Sequence, residues 1–452
     1  MTLATSTGLK HRLRNLVTSG GFKARLIRAG LGSAGIQAAN RVLALALGIV
    51  LARTLGAEGY GVYAYAFAVM SLLMVAAEAG VPTLLMREVA ASESRADWGL
   101  LRGVLRRAGQ FVALASTTIS LLGLLVVWWL ADSLTAPVLY TTTLMLIVLP
   151  LSAGAKTVAH AMRGLHRVVI GQAIDRLLRP LLVLALVGSA FLFWPEWRQP
   201  EVAMAAQLLA AMVVLIVGWL ILQRLTPAPA IIAEPVYKSR DWLRSALPFT
   251  LIGGAGIINN YTDIIMLGWF TASEDVGIYR VAVQGATLVA FSLQVANAVV
   301  GPQFARLYAQ GDMAKLQHLV TRSSQVIFLA SMPAALAFIF AGDVVVSWVF
   351  GPEYSTAYLP LAALSIGQLL NVSFGLVGSL LQMTGNQGVT ARILWQTAVL
   401  NIILNTIMIP LLGMLGAALS SATCLFAWHF LLYREAKKCI HIVSLPLPRS
   451  IY

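Results

Sequence analysis

The stretch Leu51–Tyr63, LARTLGAEGYGVY, decides how the chain is read, because a near-copy returns at Leu267–Tyr279, LGWFTASEDVGIY. Glu58, Gly61 and Tyr63 match Glu274, Gly277 and Tyr279 at one constant offset. Each copy closes a long apolar run, turns through a few polar residues and opens another. A Pro and an Arg follow about one helix later in both copies: Pro82 and Arg87, then Pro302 and Arg306. A second echo lies farther on, where Ala161–Gly164 (AMRG) answers Gln382–Gly385 (QMTG). Self-similarity on this scale predicts two halves of one plan. In membrane chains such symmetry marks transporter folds, whose substrate site lies between the repeats.

The composition is that of a polytopic membrane protein. Of 452 residues, 59% are hydrophobic and 11% charged, against about 25% charged in soluble domains. A helix needs about 20 apolar residues to cross a bilayer. Twelve such runs are predicted, at about 31–52, 60–80, 109–131, 137–158, 174–194, 202–222, 246–268, 276–300, 325–341, 357–382, 389–410 and 413–433. The expected fold is therefore all-α, with two six-helix lobes, 31–222 and 246–433. Between them, 223–245 holds the Pro-rich TPAPAIIAEP and is expected to be a flexible joint. A basic segment, 1–30, precedes the lobes and a basic tail, 434–452, follows. The first carries no cleavable-signal pattern and reads equally as a surface amphipathic helix or a basic arm.

The net charge of +14 is meaningful only by position. Of the 32 Lys and Arg, all but Arg41, Arg53, Arg198 and Arg280 fall on one side when the runs are threaded alternately through a bilayer. That is the positive-inside pattern, which places both termini in the cytoplasm. It is not the basic stripe of a nucleic-acid binder. The opposite loops are short and acidic, with Glu58, Asp132, Glu196, Glu201, Glu274, Asp275, Asp343 and Glu353. Cys424 and Cys439 make no disulfide framework, and the six His have no helical zinc spacing. No phosphate-loop motif is present. No catalytic set, metal or cofactor is therefore expected. A membrane glycan polymerase or ligase would need a large outer loop, which the sequence lacks.

Charges at membrane depth carry the chemistry, because ionisable groups there are costly and face a cavity or a partner. Arg41 lies midway along the first run, Arg53 closes it, and Arg280 lies just inside the eighth. If the halves face each other, these three could line one cationic cavity, and guanidinium groups suit phosphate oxygens. The plainer alternatives are an interfacial Arg53 and an Arg280 paired with Asp263. Glu78 and Asp263 are candidates for a coupling proton or sodium ion, with structural pairing as the alternative. Asp175 is expected to pair locally with Arg176 and Arg179. Gly253–Gly256 (GGAG) suggests close helix packing or a locally unwound helix. Tyr60, Tyr63, Tyr65, Tyr261 and Trp269 form either an interfacial belt or a sugar-stacking mouth.

The first-half pattern LGAEGYGVYAYAFAVMSLLMVAAEAGVPTLLMREVA, with AMRGLHR and QMTGNQG downstream, resembles the oligosaccharide and polysaccharide flippases, O-antigen and exopolysaccharide translocases included. These belong to the multidrug/oligosaccharidyl-lipid/polysaccharide exporter superfamily. The resemblance covers nearly the whole chain after about residue 30. It implies two six-helix bundles in a V, a cationic central cavity and a bacterial inner-membrane location. The implied activity is carriage of a polyprenyl-pyrophosphate-linked oligosaccharide to the outer leaflet by alternating access, driven by an ion gradient. The implied partners are the lipid-linked oligosaccharide, membrane lipids, and polysaccharide polymerase and chain-length machinery. Lipid II flippases of the same superfamily typically have fourteen spans, so twelve weighs against that branch. The competing reading within the superfamily is a cation-coupled multidrug antiporter, which wants carboxylates rather than arginines in the cavity.

Overall fold

The computed structural model describes residues 22–445, so most of the basic N-terminal segment and the end of the tail lie outside the described residues. Everything ordered into elements is helical. In chain order these are α1 (Phe22–Glu78), α2 (Val81–Ser94), α3 (Trp98–Trp129), α4 (Ala136–Gly164), α5 (Val168–Ala173), α6 (Arg179–Phe193) and α7 (Pro200–Leu225). There follow α8 (Ala228–Ile232), α9 (Ser239–Phe270), α10 (Ser273–Val289), α11 (Phe291–Ala309), α12 (Met313–Phe340), α13 (Gly342–Val349), α14 (Tyr358–Ser373), α15 (Val377–Met383) and α16 (Gln387–Ile440). A π-helical turn, Ile174–Leu178, joins α5 to α6.

Among the described residues, seven helices are long and apolar enough to cross a membrane, or nine if each of two bent pairs counts as one span. Two of the seven are double. Gly56 (φ 71°) divides α1 and Gly413 (φ 55°) divides α16, at backbone angles that only glycine adopts freely. The 32-residue α9 is also long enough to cross, and carries Asn259, Asn260 and Asp263 along its length. Taking each limb, each bent pair and α9 once restores the twelve expected traverses.

The repeat runs deeper than the sequence match. The second limb of α1 ends at Ala79 and Gly80, both at positive φ, and turns into α2. Its counterpart α10 breaks at Ala290 and bends by 48° into α11. Next comes a matching turn. Ala96 and Gly311 sit at positive φ, and the following Asp97 and Asp312 cap α3 and α12. Asp97 accepts from the Leu100 N–H at 3.1 Å and Asp312 from the Lys315 N–H at 3.0 Å.

The packing defines a V. At the end bearing Glu58, Glu274 and Glu353, one hydrophobic core is shared by both lobes, running from Leu51, Tyr60 and Tyr63 through Ile264 and Tyr279 to Phe350 and Tyr354. At the basic end the cores are separate. One is built on Val81, Leu101 and Met162, with Trp242 and Ala246 of α9; the other on Phe304, Leu316 and Leu380. The outward faces are apolar, as Leu114, Trp128 and Trp129 of α3 illustrate. The lobes therefore share one core at the acidic end, while at the basic end the start of α9 packs into the first lobe and the second lobe's core on Phe304, Leu316 and Leu380 stands apart.

The connection between the lobes is narrower than the sequence suggests, because α7 extends to Leu225 and α9 begins at Ser239. Nor is it slack. The Val236 N–H donates to the Gly99 carbonyl at 2.9 Å, and Arg102 donates to the Ala233 carbonyl at 2.6 Å. Arg107 donates to Ser239 at 3.0 Å and lies over the Tyr237 ring. Gly103 lets this backbone approach, since a Cβ there would fall 1.9 Å from the Val236 oxygen. The expected flexible joint is thus a strap seated on α3. Of Gly253–Gly256, Gly254 takes the expected packing role, since a Cβ there would lie 3.2 Å from Val75, whereas one on Gly253 or Gly256 meets nothing within 4 Å.

Candidate functional site: the cleft between the lobes

The acidic end is latched across the lobes by polar as well as apolar contacts. The Tyr354 hydroxyl donates to the Ala52 carbonyl at 2.9 Å, and Trp269 Nε1 donates to the Tyr65 hydroxyl at 3.1 Å. Gln284 of α10 donates to the carbonyls of Ala44 and Leu45, at 3.0 and 3.2 Å, and accepts from the Tyr60 hydroxyl at 3.2 Å. The aromatic cluster noted in the sequence is therefore partly structural, with Tyr60 and Tyr65 committed to the latch.

The three candidate arginines divide. Arg53 donates from Nε to the Val349 carbonyl at 2.8 Å and from Nη2 to Trp348. It thereby satisfies the last carbonyls of α13, a position where the helix dipole favours a cation. Arg53 also borders an apolar flank cavity of about 610 Å³ with Leu45, Ile49 and Phe338. Arg41 lies instead on the open cleft, exposed, and its Nε donates across the lobes to Gln294 Oε1 at 3.0 Å. Arg280 hydrogen-bonds the Tyr60 hydroxyl. Tyr261 is close enough to both Arg41 and Arg280 to act on each electrostatically. Arg41 and Arg280 thus share Tyr261 as an electrostatic neighbour, while Arg53 is set apart.

The two candidate carboxylates differ in their partners. Asp263, 6% exposed, is not salt-bridged to Arg280. Its carboxylate accepts from the Tyr279 hydroxyl at 2.7 Å, the Ser421 hydroxyl at 3.1 Å and the Ile264 N–H at 2.8 Å. These are neutral donors about a buried ionisable group, with the Arg280 guanidinium within electrostatic reach. The other lobe repeats the arrangement without the charge, where Gln207 donates to the Tyr63 hydroxyl at 2.8 Å. Glu78 is paired, its Oε2 lying 2.7 Å from Lys156 Nζ on α4, while its buried Oε1 has no hydrogen-bond partner.

Around the π turn the sequence reading missed part of the site. Asp175 does not pair with Arg176 or Arg179. Its partner is Arg163 of α4, at 3.2 Å, and Arg163 also approaches His160 Nε2 at 3.4 Å. His160 is not solvated: its Nδ1 meets the Lys156 carbonyl at 2.8 Å. Arg179 turns inward to donate to Ser152 at 2.9 Å. The positive-inside pattern counts Lys156, Arg163, Arg176 and Arg179 among the cytoplasmic charges, yet all four lie within α4, the π turn or the start of α6. The available signal was Asp175, Arg176 and Arg179 interrupting an otherwise apolar run.

The arrangement is a two-lobed bundle of long apolar helices sharing one core at the acidic end, which is a transporter-type fold. Residues 29–308 match the family described as "Polysaccharide biosynthesis protein", and the chain belongs to that family. It is 25% identical over 237 residues to the probable low-salt glycan biosynthesis flippase Agl15 of Haloferax volcanii, covering 52% of this chain and 49% of that protein. It is 27% identical over 220 residues to an uncharacterized membrane protein of Methanocaldococcus jannaschii, covering 47% and 43%. The chain thus spans about half the length of these curated relatives. Among solved structures it resembles the inward-facing conformation of a multidrug resistance MATE family transporter of the MOP superfamily, with TM-score 0.71 and 16% identity over 89% of this chain and 94% of that one. It also resembles the lipid II flippase MurJ in an inward closed conformation, with TM-score 0.67 and 12% identity over 90% and 87%.

Proposed function

We propose that this protein is a flippase that carries a polyprenyl-pyrophosphate-linked oligosaccharide across the membrane for surface glycan synthesis. The carrying observation is Arg41 and Arg280 at membrane depth in the cleft, with no carboxylate in salt-bridge contact with either among the described residues. Arg41, with no carboxylate in contact at that depth, calls for an anionic ligand, and its forked donors match a diphosphate; Arg280 contributes positive charge nearby while Asp263 and Tyr60 lie within its electrostatic reach. Family membership and the flippase relative from Haloferax support the same reading.

In this proposal the basic end faces the cytoplasm, with both termini there, and the V receives the headgroup from that side. The membrane is the bacterial inner membrane, and the movement is toward the outer leaflet. Rocking about the shared core then exposes the headgroup to the other side. Asp263, held by hydroxyls and an amide rather than a cation, takes the coupling proton or sodium ion. Glu78, already paired with Lys156, could exchange partners only by breaking that pair. Polysaccharide polymerase and chain-length machinery would receive the product.

The decisive experiment reconstitutes the full chain in vesicles containing a lipid-linked oligosaccharide and measures headgroup accessibility on each leaflet. Transfer above empty vesicles is expected, and it falls at least about tenfold with Arg41→Ala. No transfer, combined with efflux of cationic dyes that survives Arg41→Ala, would replace this reading with a multidrug antiporter.

A further inference from the structure

The π turn between α5 and α6 carries an arginine with no ion-pair partner among the described residues. π turns inside α-helices concentrate at functional sites. Asp175, at the start of this turn, is taken by Arg163. Arg176 is half-buried and has no ion-pair or hydrogen-bond partner among the described residues. Its electrostatic neighbours are cations: Arg41 on one side and Arg163 on the other. Clustering three guanidinium groups around one carboxylate inside a membrane-spanning element is unfavourable without an anion.

Local geometry explains why Arg176 meets Arg41. Ser33 donates to Gln172 Oε1 at 2.7 Å, tying α1 to α5. Ser33, Gln37 and Arg41 are spaced four apart on α1, and the Gln37 amide donates to Ser33 at 3.5 Å. Residues four apart share a helix face. Gln172 and Arg176 have the same spacing. The contact at Ser33 therefore sets the face of α1 bearing Arg41 against the face of the π turn bearing Arg176.

The internal repeat supplies a control. Aligning AMRG (Ala161–Gly164) with QMTG (Gln382–Gly385) places Asp175 against Gln396 and Arg176 against Thr397. Thr397 only donates back to its own helix, to Ile393 at 3.1 Å, and α16 passes this point without a π turn. The second half builds the same traverse without the charge, so packing does not require Arg176.

We infer that Arg176, together with Arg41, forms a phosphate-binding subsite that takes the diphosphate of the carried lipid as it enters the cleft from the basic end. Gln294, already bonded to Arg41, supplies an amide at its rim. This subsite rests on the flippase reading and refines it by placing the anion on the first lobe.

The test uses the full chain in nanodiscs of neutral lipid, with inorganic pyrophosphate as ligand and thermal unfolding as readout. Wild type is expected to be stabilised. Arg41→Gln and Arg176→Gln should each weaken the apparent affinity by about tenfold, the size of one lost charge-assisted bidentate contact. Arg392→Gln, at the basic end and paired with Glu435, should leave it unchanged. Arg176→Lys keeps the charge but not the fork. It should still lose several-fold, and it decides the matter if the Gln variant does not fold. Unchanged affinity in both Arg176 variants, with loss in Arg41→Gln, overturns this subsite and leaves the flippase proposal standing. No stabilisation of wild type by pyrophosphate or by a short-chain polyprenyl diphosphate overturns both. Phosphatidylglycerol in the disc that displaces pyrophosphate completely would mark a general lipid-headgroup site, and also overturns the assignment.

Discussion

Gly61 and Gly277 lie backbone against backbone where the two lobes cross at the acidic end. A Cβ built on Gly61 would stand 1.7 Å from the Ser273 oxygen, and one on Gly277 2.0 Å from the Ala57 oxygen. Both obstacles are main chain, so neither can swing aside. Alanine at either position should hold this end apart. Spin-label distances between the acidic ends of the second limb of α1 and of α10 are expected to lengthen by several ångströms in Gly61→Ala, with transport lost and expression retained. An unchanged distance would mean that the lobes can meet by another surface.

Asp263 offers a separable variant. Asparagine can still accept from Tyr279 and Ser421 through its one oxygen but loses the bond from the Ile264 N–H, so Asp263→Asn should fold with thermal stability lowered by a few degrees. Under the coupling role, it should bind pyrophosphate normally yet lose the stimulation of transport by an imposed proton or sodium gradient. Equal stimulation in the variant would remove Asp263 from coupling.

Glu78 and Lys156 form a pair that is buried on the carboxylate side, with the Lys156 side chain 40% exposed. Removing one partner of a fully buried pair costs about 3–5 kcal/mol, and the partial exposure of Lys156 lowers the expectation to about 2 kcal/mol. Lys156→Met should therefore lower the melting temperature by several degrees. The double variant Glu78→Gln, Lys156→Met should recover much of the loss in thermal unfolding, because no lone charge is left behind.

Arg53 and Arg41 should respond differently to the same substitution. Arg53→Ala strips α13 of its carbonyl partners, costing about 1–2 kcal/mol. It should leave pyrophosphate affinity within about twofold, since Arg53 lies off the cleft. Arg41→Ala should do the reverse. Parallel melting curves and binding titrations of the two variants distinguish them.

The strap on α3 predicts a further effect. With Gly103→Ala the linker backbone must lift from α3, given the 1.9 Å clearance to the Val236 oxygen. Protease cutting between residues 226 and 238 should accelerate markedly while the lobes remain folded.

Much of this architecture was legible in the sequence because it is written in two copies. Glu58, Gly61 and Tyr63 announced the crossing of the lobes, and the glycine pair proved to be the contact itself. Hydropathy gave the traverses even where Gly56 and Gly413 run two into one helix. Side-chain partnerships were less legible. An Arg163–Asp175 pair joins two helices whose relative rotation no local pattern specifies. The π turn has no periodicity of its own, so Arg176 and Arg179 looked like ordinary charges at a helix end. The linker's proline-rich composition suggested slack, whereas its seat depends on Gly99 and Gly103, more than a hundred residues earlier. Arg53 looked like a cavity residue because depth can be counted along a helix, but the face it occupies is set by α13.

The interior at the acidic end is assembled from both lobes, so neither lobe possesses a complete one. Each half made alone would present Tyr60 and Leu51, or Tyr279 and Tyr354, as uncovered surface and should be degraded or aggregate. Produced together from split genes, the halves should find one another and co-purify without any covalent tether. Continuity of the polypeptide would then be a convenience of synthesis rather than a condition of assembly.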